Sequence, residues 1–173
     1  MYQVPQHIDK NKIFIVQRSE IEGRLDPQYN LPEYSKLYCV LNSLPCKISS
    51  LKEESLAIFS GITPKSGGDA YTSEANGVPF VRSGDFTETN LIDFSKLLYL
   101  RPDVHNGIMS ASKLKKNDVI IAIVGATIGK IGIYLYDREA NINQAICSVR
   151  LKSSISPFFV QAFYQTSIGQ KII

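Results

Sequence analysis

Histidine and cysteine are scarce in this chain, and the few present do not form a metal-binding pattern. The 173 residues contain His7, His105 and three cysteines, Cys39, Cys46 and Cys147. No CxxC pair or other spacing typical of zinc ligands occurs among them. An odd number of cysteines does not suit a disulfide framework, so we expect reduced thiols and no metal site.

Long apolar runs and a strong charge imbalance are absent too. No run approaches the roughly 18 apolar residues that a membrane helix requires, and no basic-then-apolar leader opens the sequence. We therefore expect a soluble, cytoplasmic protein with no membrane partner. Nineteen lysines and arginines against sixteen acidic residues give a net charge of +3, which permits a polyanionic partner without requiring one.

What remains is the composition of one folded domain, 44% hydrophobic and long enough for a sizeable core. We predict two parts: residues 1–46, a lead-in with an amphipathic helix, and residues 47–173, the core of the domain.

Ile13–Val16 predicts a short edge strand. Asn30 as N-cap and Pro32 in the first turn predict a helix that covers a sheet. Its apolar residues fall on one face: Tyr34, Leu37, Leu41 and Leu44.

Residues 118–151 predict three strands. Val119–Val124 is an apolar run typical of a buried strand, and Ile131–Tyr136 alternates as a second strand does. Gly125–Gly129 forms a glycine-rich tip between them. Asp137–Asn141 has turn chemistry and leads to a third alternating strand. We predict a three-stranded antiparallel meander.

The glycine-rich tip lacks the spacing of a nucleotide-binding loop. Only three residues separate Gly125 from Gly129, and the chain continues as a strand rather than a helix. The amides of the tip, the Thr127 hydroxyl and the Lys130 ammonium could bind a backbone phosphate, or the hairpin could simply turn the chain. In a meander Asn143–Gln144 would lie roughly 20 Å from Lys130, so we expect their side chains to satisfy a turn.

A polar loop is predicted between two apolar segments at residues 61–77. It carries Lys65, Ser66, Tyr71 and Asn76, which together offer an ammonium, hydroxyls and an amide. These groups suit phosphate binding and groove reading, but they are also common in any surface loop.

A short strand with a charged end is predicted next. Val78–Val81 is apolar and runs into Arg82 and Ser83. An arginine at a strand end could project into a nucleic-acid groove, or it could form a surface ion pair with Asp85.

Residues 86–117 are long, polar in patches and irregular in period. Loops of this length in a compact domain tend to be functional, which makes Asn90 and Arg101 candidates for binding, with His105 less favoured.

The C-terminal segment predicts a helix. Ser156 suits the N-cap, Pro157 suits the first helical position, and Gly169 follows the apolar part. We expect this helix to pack on the sheet through aromatic residues near one face: Phe159, Phe163 and Tyr164.

Four ordered segments resemble signatures of one family. They are FSGITPKSG (Phe59–Gly67), VPFVRSGDF (Val78–Phe86), GATIGKIGIY followed by INQAI (Gly125–Ile146) and PFFVQAFYQTSIGQKI (Pro157–Ile172). In this order they resemble the target-recognition domain of the specificity subunits of type I restriction-modification systems. FIVQRSEIEGRLDPQYN (Phe14–Asn30) resembles a lead-in of some members.

The resemblance implies an α+β fold with a twisted, mostly antiparallel sheet and flanking helices. It also implies a prokaryotic, non-catalytic subunit that recognises one half of a bipartite sequence in double-stranded DNA. Its partners would be adenine methyltransferase (modification) subunits and a nuclease/translocase (restriction) subunit. S-adenosylmethionine, ATP and magnesium would bind only to those partners. The family continues into a spacer helix and a second recognition domain, so we expect a fragment of a longer subunit or a truncated half-subunit.

The resemblance and the residue types together select ten candidate DNA-binding residues: Lys65, Ser66, Tyr71, Asn76, Arg82, Ser83, Asn90, Arg101, Thr127 and Lys130. Segments shared by family members that read different targets cannot encode the target. We therefore expect base reading in Gly68–Gly77 and Thr87–Asn117, and backbone positioning in the shared segments.

Two other interpretations remain open. Asp26–Tyr29 resembles the Asp-Pro-Pro-Tyr loop of amino-methyltransferases, but no glycine-rich turn for S-adenosylmethionine accompanies it, so we interpret it as a loop or a lead-in to the helix. One alternative function is the recognition region of a DNA methyltransferase or of a fused restriction-modification enzyme. A third reading is a β-rich protein-interaction domain without a DNA role.

Overall fold

A computed structural model describes residues 5–9, 12–21, 30–65, 68–87, 89 and 91–173 of the chain. The chain divides into two compact units, Met1–Ser49 and Ser50–Ile173. The predicted features at Asp26–Tyr29 lie outside the described residues, as do two candidate residues, Ser66 and Asn90. None of the described helices is long and apolar enough to cross a membrane.

In the first unit, helix α1 spans Pro32–Asn42. Its N-cap is Leu31 rather than the predicted Asn30, because the extended backbone of Leu31 leads directly into Pro32 at the first helical turn. The predicted apolar face is half-buried at Tyr34, Leu37 and Leu41, and no residue of α1 is fully buried.

The predicted edge strand Ile13–Val16 is wrong. These residues form no strand, and Ile13 and Ile15 are 53% and 51% exposed. A strand requires a neighbour that satisfies its backbone groups, and an apolar stretch alone does not supply one.

The second unit contains nine strands and three α-helices within its described residues. In chain order these are β1 (Ser55–Ser60), β2 (Tyr71–Thr72), β3 (Val78–Val81), β4 (Leu98–Leu100), α2 (Pro102–Asn106), β5 (Lys113–Leu114), β6 (Val119–Ala122), β7 (Ile131–Ile133), β8 (Ala140–Ile142), β9 (Ile146–Leu151), α3 (Pro157–Gln165) and α4 (Ser167–Ile172).

The first sheet has the strand order β1-β9-β6-β7, and all its pairs are antiparallel. The predicted meander is therefore wrong, because β9 pairs with β6 and not with β7. Ala122, at the end of β6, lies opposite Ile146, at the start of β9. The start of β9 thus lies beside the hairpin tip, and the predicted separation of Asn143–Gln144 from Lys130 does not hold. The predicted first strand also ends early, since Ile123 and Val124 are exposed.

The second sheet has the strand order β2-β4-β3-β8-β5. The pair β3–β8 is parallel and the other pairs are antiparallel. The predicted turn Asp137–Asn141 is wrong at its end, because Ala140 and Asn141 belong to the fully buried strand β8. The prediction of one long loop at residues 86–117 is also wrong, because these residues form β4, α2 and β5. The α+β class and the mostly antiparallel pairing are confirmed, although the strands form two sheets instead of one.

The main hydrophobic core lies between the two sheets. It joins Ile120 and Ile146 of the first sheet to Val81, Tyr99 and Ile142 of the second. A second cluster lies under α3, where Val160 packs with residues of β6, β7 and β9.

The C-terminal helix begins as predicted, with Ser156 as N-cap and Pro157 in the first turn. It ends at Gln165, and a separate helix, α4, contains Gly169. Phe159 is 67% exposed, so the predicted contact fails there. Val160 is buried against the sheet, and Tyr164 packs beside it as predicted.

Candidate functional site

Strand ends from both sheets meet at one end of the second unit. The ends of β1 and β6 lie beside the start of β9. The β3–β8 pair continues to the same place, because the Asn143 amide donates to the Val81 carbonyl at 3.2 Å and the Gly61 amide donates to the Asn143 carbonyl at 3.3 Å. We call this region the hairpin end. It comprises residues 61–64, 82–85, 123–130 and 143–145.

Gly61 permits the close approach that forms the hairpin end. A Cβ at Gly61 would lie 1.6 Å from the Ile142 carbonyl oxygen, so any other residue would push β1 away from β8. Beyond Gly61, the Thr63 hydroxyl hydrogen-bonds to the Gln144 side-chain oxygen. Asn143 Oδ1 accepts from the Ala145 amide at 3.2 Å, which confirms its predicted turn role.

The hairpin tip is held by backbone hydrogen bonds at its base. The Ala122 amide donates to the Lys130 carbonyl at 2.9 Å, and the Gly129 amide donates to the Ala122 carbonyl at 3.0 Å. Gly125 and Gly129 both have φ of 85°, a left-handed conformation that favours glycine. Among the described residues, no backbone carbonyl accepts from the amides of residues 124–127. Successive open amides of this kind can bind an anion.

Two predicted side chains flank those amides. Thr127 and Lys130 are both half-buried, and both belong to the tip itself. Thr127 and Lys130 therefore belong to the same turn as the open amides.

Arg82 and Asp85 form a partly buried ion pair at the same end. Arg82 donates from Nε and Nη2 to the two carboxylate oxygens of Asp85 at 3.1 and 2.8 Å, and its amide donates to the same carboxylate at 2.8 Å. The hydrogen bond with Asp85 raises the pKa of Arg82. Asp85 is only 3% exposed, whereas about a third of Arg82 reaches solvent. The pair anchors the turn that carries Ser83, so it is more than the surface contact predicted as one alternative.

Three predicted residues lie toward the opposite end of the second sheet. Leu100 pairs with both Tyr71 and Val78, which places Arg101 level with Gly77, the residue after Asn76. Gly77 is five residues from Arg82, about 16 Å at roughly 3.3 Å per residue.

The three residues are Arg101, Tyr71 and Asn76, and their surroundings differ. Arg101 donates to both carboxylate oxygens of Asp103 at 3.0 and 2.8 Å, and this hydrogen bonding lowers the pKa of Asp103. The Tyr71 hydroxyl donates to the Pro64 carbonyl at 3.1 Å. Asn76 ends an exposed 3-10 turn.

Lys65 lies on the connection between the two ends. It follows Pro64, its side chain is exposed, and its carbonyl accepts from the Gly68 amide at 3.2 Å. Within the described part of the chain, its ammonium group makes no hydrogen bond or ion pair, so it is available to an anionic partner.

Sequence reasoning missed two features of the hairpin end. Gln170 of α4 donates from Nε2 to the Gly129 carbonyl at 2.8 Å and so braces the tip. A single glutamine in a helix has no pattern that would reveal this contact. The exposure of Ile123 and Val124 was also missed, although Gly125 directly after them marks the turn.

A cleft of about 450 Å³ lies between β1 and the turn at Ser110. Its main cations are already engaged, Arg150 with Asp118 at 2.7 Å and Lys113 with Asn106 at 2.7 Å. In the described residues, histidine, cysteine and carboxylate side chains do not gather as a metal site. We therefore place the candidate site at the hairpin end and not in the cleft.

Comparison with known proteins gives matches by structure. No family model and no curated protein matches the chain. The HsdS subunit from Thermoanaerobacter tengcongensis matches with a TM-score of 0.52 and 18% identity, over 80% of this chain and 34% of that chain. A structure described as the basis of complex assembly and conformational transition of the type I R-M system matches with a TM-score of 0.50 and 18% identity, over 76% of this chain and 32% of that chain.

These matches confirm the predicted resemblance at the level of the fold. The structural neighbours are specificity subunits of type I restriction-modification systems, and this chain spans about a third of the length of each.

Proposed function

We propose that this chain recognises one half of a bipartite DNA sequence as the specificity subunit, or a part of it, in a type I restriction-modification complex. The observation that carries the proposal is the fold shared with HsdS, found where four ordered sequence segments resemble the same family. In this role the chain binds double-stranded DNA in the cytoplasm of a prokaryote and has no catalytic residues of its own. It directs adenine methyltransferase subunits and a nuclease/translocase subunit, which alone bind S-adenosylmethionine, ATP and magnesium.

The hairpin end supports the DNA-binding part of the proposal. The open amides of residues 124–127 lie in the same turn as Thr127 and Lys130, which carry a hydroxyl and an ammonium group. Most contacts between proteins and DNA join such donors to phosphate oxygens, and these contacts set the position of the protein on the duplex. We assign this role to the tip, with Arg82 and Ser83 beside it.

The opposite end of the second sheet suits base reading. Arg101 and Asn76 carry the groups that pair with guanine and adenine edges, and they lie about 16 Å from Arg82 along β3. Base pairs follow one another every 3.4 Å or so, so that distance corresponds to about five base pairs of one duplex. Both ends can therefore contact the same half-site.

The salt dependence of DNA binding tests the proposal. Fluorescence anisotropy with a labelled pool of mixed-sequence duplexes should show weak binding of the chain at low salt and a steep loss as salt rises. Lys130→Gln and Lys65→Gln should each lower the slope of log affinity against log salt by about 0.9, because each removes one phosphate contact.

Lys52→Gln is the matched control. Lys52 is exposed and precedes β1, whose first residue pairs with Leu151 at the end of the sheet away from the tip. The control removes the same charge and should leave the slope unchanged. Absence of binding at low salt by a chain with native circular dichroism would refute the proposal, and an equal effect of Lys52→Gln would refute the assigned surface.

A further inference from the structure

Three aliphatic side chains are exposed at the tip of the hairpin. Ile123, Val124 and Ile128 are 43%, 54% and 58% exposed. They lie within six consecutive residues, and the predicted burial of the first two does not occur. A compact exposed aliphatic group at the end of a hairpin points to a partner with an apolar interior.

The tip is braced, so these side chains stay presented. Gln170 of α4 donates from Nε2 to the Gly129 carbonyl at 2.8 Å and to the Tyr164 carbonyl at 2.7 Å. A Cβ at Gly129 would lie 2.6 Å from Gln170 Oε1, which shows how closely the two elements approach. This contact ties the tip to the junction of α3 and α4, and it opposes bending of the tip away from a partner.

The chemistry around the aliphatic group favours an anionic partner. No acidic residue occurs from Ile123 to Tyr136, whereas Lys130 and the open amides of residues 124–127 belong to the same turn as the aliphatic residues. The nearby carboxylate of Asp85 is engaged by Arg82. Duplex DNA combines an anionic exterior with an apolar stack of bases, and aliphatic side chains of other DNA-binding proteins enter that stack.

We propose that the hairpin tip is an apolar wedge that partly unstacks one base step of the bound duplex. Val124 and Ile128 enter the step, and the amides and Lys130 hold the adjoining phosphate. The proposal rests on the DNA recognition argued above and adds a deformation of the duplex to it. The cost of unstacking depends on the step that is opened, so the wedge contributes to sequence preference without a hydrogen bond to a base edge.

The test uses the whole 173-residue chain and a duplex that it selects from a random-sequence library. 2-Aminopurine is placed at successive positions of that duplex, and its fluorescence rises where stacking is broken. We expect the wild-type chain at saturation to raise the fluorescence at one step. The double variant Val124→Thr/Ile128→Thr keeps β-branched side chains but loses apolar surface. It should abolish the rise and weaken binding about tenfold.

Two control variants distinguish the effect of the wedge on the fluorescence from effects of charge and of folding. Lys130→Gln should lower the salt slope and keep the fluorescence rise at saturation. Leu56→Thr removes a comparably exposed aliphatic group outside the hairpin end and outside both base-reading segments, 70% exposed in the wild type, and should change neither signal. The double variant should melt at the wild-type temperature, because both side chains are exposed. If Val124→Thr/Ile128→Thr fails to fold, Val124→Ala alone should still reduce the rise.

The outcomes distinguish this proposal from the proposed function. A duplex that binds with no responding position, or a double variant that keeps the rise, overturns the wedge and leaves DNA recognition standing. Retained unstacking in the double variant would mean that a group other than Val124 and Ile128 opens the step. Failure of the folded chain to bind any duplex overturns both.

Discussion

Asn141 Oδ1 lies 2.6 Å from His105 Nδ1, and this contact joins β8 to helix α2 in the interior of the domain. Asn141 is fully buried and His105 is 5% exposed. The Asn141 amide nitrogen also donates to the Met109 carbonyl at 2.8 Å and to the Ser112 hydroxyl at 3.0 Å. One side chain thus secures residues 105–112, a segment whose sequence indicates an irregular loop.

Asn141→Ala should lower the free energy of unfolding by about 3 kcal/mol. The substitution leaves the buried polar partners of Asn141 without a hydrogen bond, and each such loss is costly. Urea denaturation followed by circular dichroism measures the effect. Gln165→Ala, at an exposed position near the end of α3, is the control and should stay within about 0.5 kcal/mol of wild type. Similar values for the two variants would show that the buried contacts do not stabilise the domain.

Tyr134 should make the domain sensitive to alkaline pH. Burial raises the pKa of Tyr134 to about 12, and its hydroxyl donates to the Arg138 carbonyl at 2.8 Å. The unfolded chain should ionise near pH 10. The neutral hydroxyl therefore contributes its full stability below pH 10, and roughly 2 to 3 kcal/mol is lost as pH rises from 10 through 12.

Tyr134→Phe isolates this contribution. Unfolding of both proteins in urea from pH 8 to 12 should show the wild type as the more stable below pH 10, by about 1 kcal/mol for the lost hydrogen bond. The order should reverse near pH 12, because only the wild type then carries a buried phenolate. A constant difference across the whole range would contradict the account.

The Arg82–Asp85 pair should contribute to the stability of the folded domain. Asp85→Asn leaves Arg82 without its carboxylate and should cost about 3 kcal/mol, because Asp85 is almost fully buried. Lys96→Gln breaks a neighbouring but exposed pair with Asp93 and should leave stability unchanged. Equal losses in the two variants, measured by thermal unfolding, would mean that burial of Asp85 has no consequence.

Sequence reasoning predicts local elements of this fold better than their pairing. The boundaries of β3 and the start of α3 follow from apolar runs and proline, which act within a few residues. The pairing of β9 with β6 depends on β8 crossing into the second sheet, and β8 has only three residues. Strands that short are too brief to show a period, which is why β4 and β5 were also missed.

The sequence predicts the contacts of the candidate site that lie within one turn, but not those that join distant segments. Thr127 and Lys130 share one turn, so their proximity is local and visible in sequence. The approach of Arg82 and Asn143 to that turn depends on the parallel pair β3–β8, which joins distant segments. Gln170 reaches Gly129 across 41 positions of sequence, and no local pattern encodes that contact.

Base preference should follow the exposed residues of Gly68–Gly77 and Thr87–Asn117. A chimera that takes these residues from a relative with a different target should adopt the relative's half-site. The exchange must retain Tyr99, Leu100 and Leu114, because they are buried. Exchange of Gly125–Lys130 alone should change affinity and at most the preference at the unstacked step, while the other bases of the half-site stay the same. Sequencing of bound duplexes measures both, and the opposite pattern would reverse the two assignments.

Selection from a random-sequence duplex library tests the central claim most directly. The folded chain is mixed with the library at low salt, and the bound duplexes are recovered, amplified and sequenced over successive rounds. Recognition of a half-site predicts enrichment of one short contiguous motif, with Arg101→Gln relaxing the preference at a single position by about 1 to 3 kcal/mol. Binding without enrichment of any motif, or no binding by a folded sample, would contradict sequence-specific recognition.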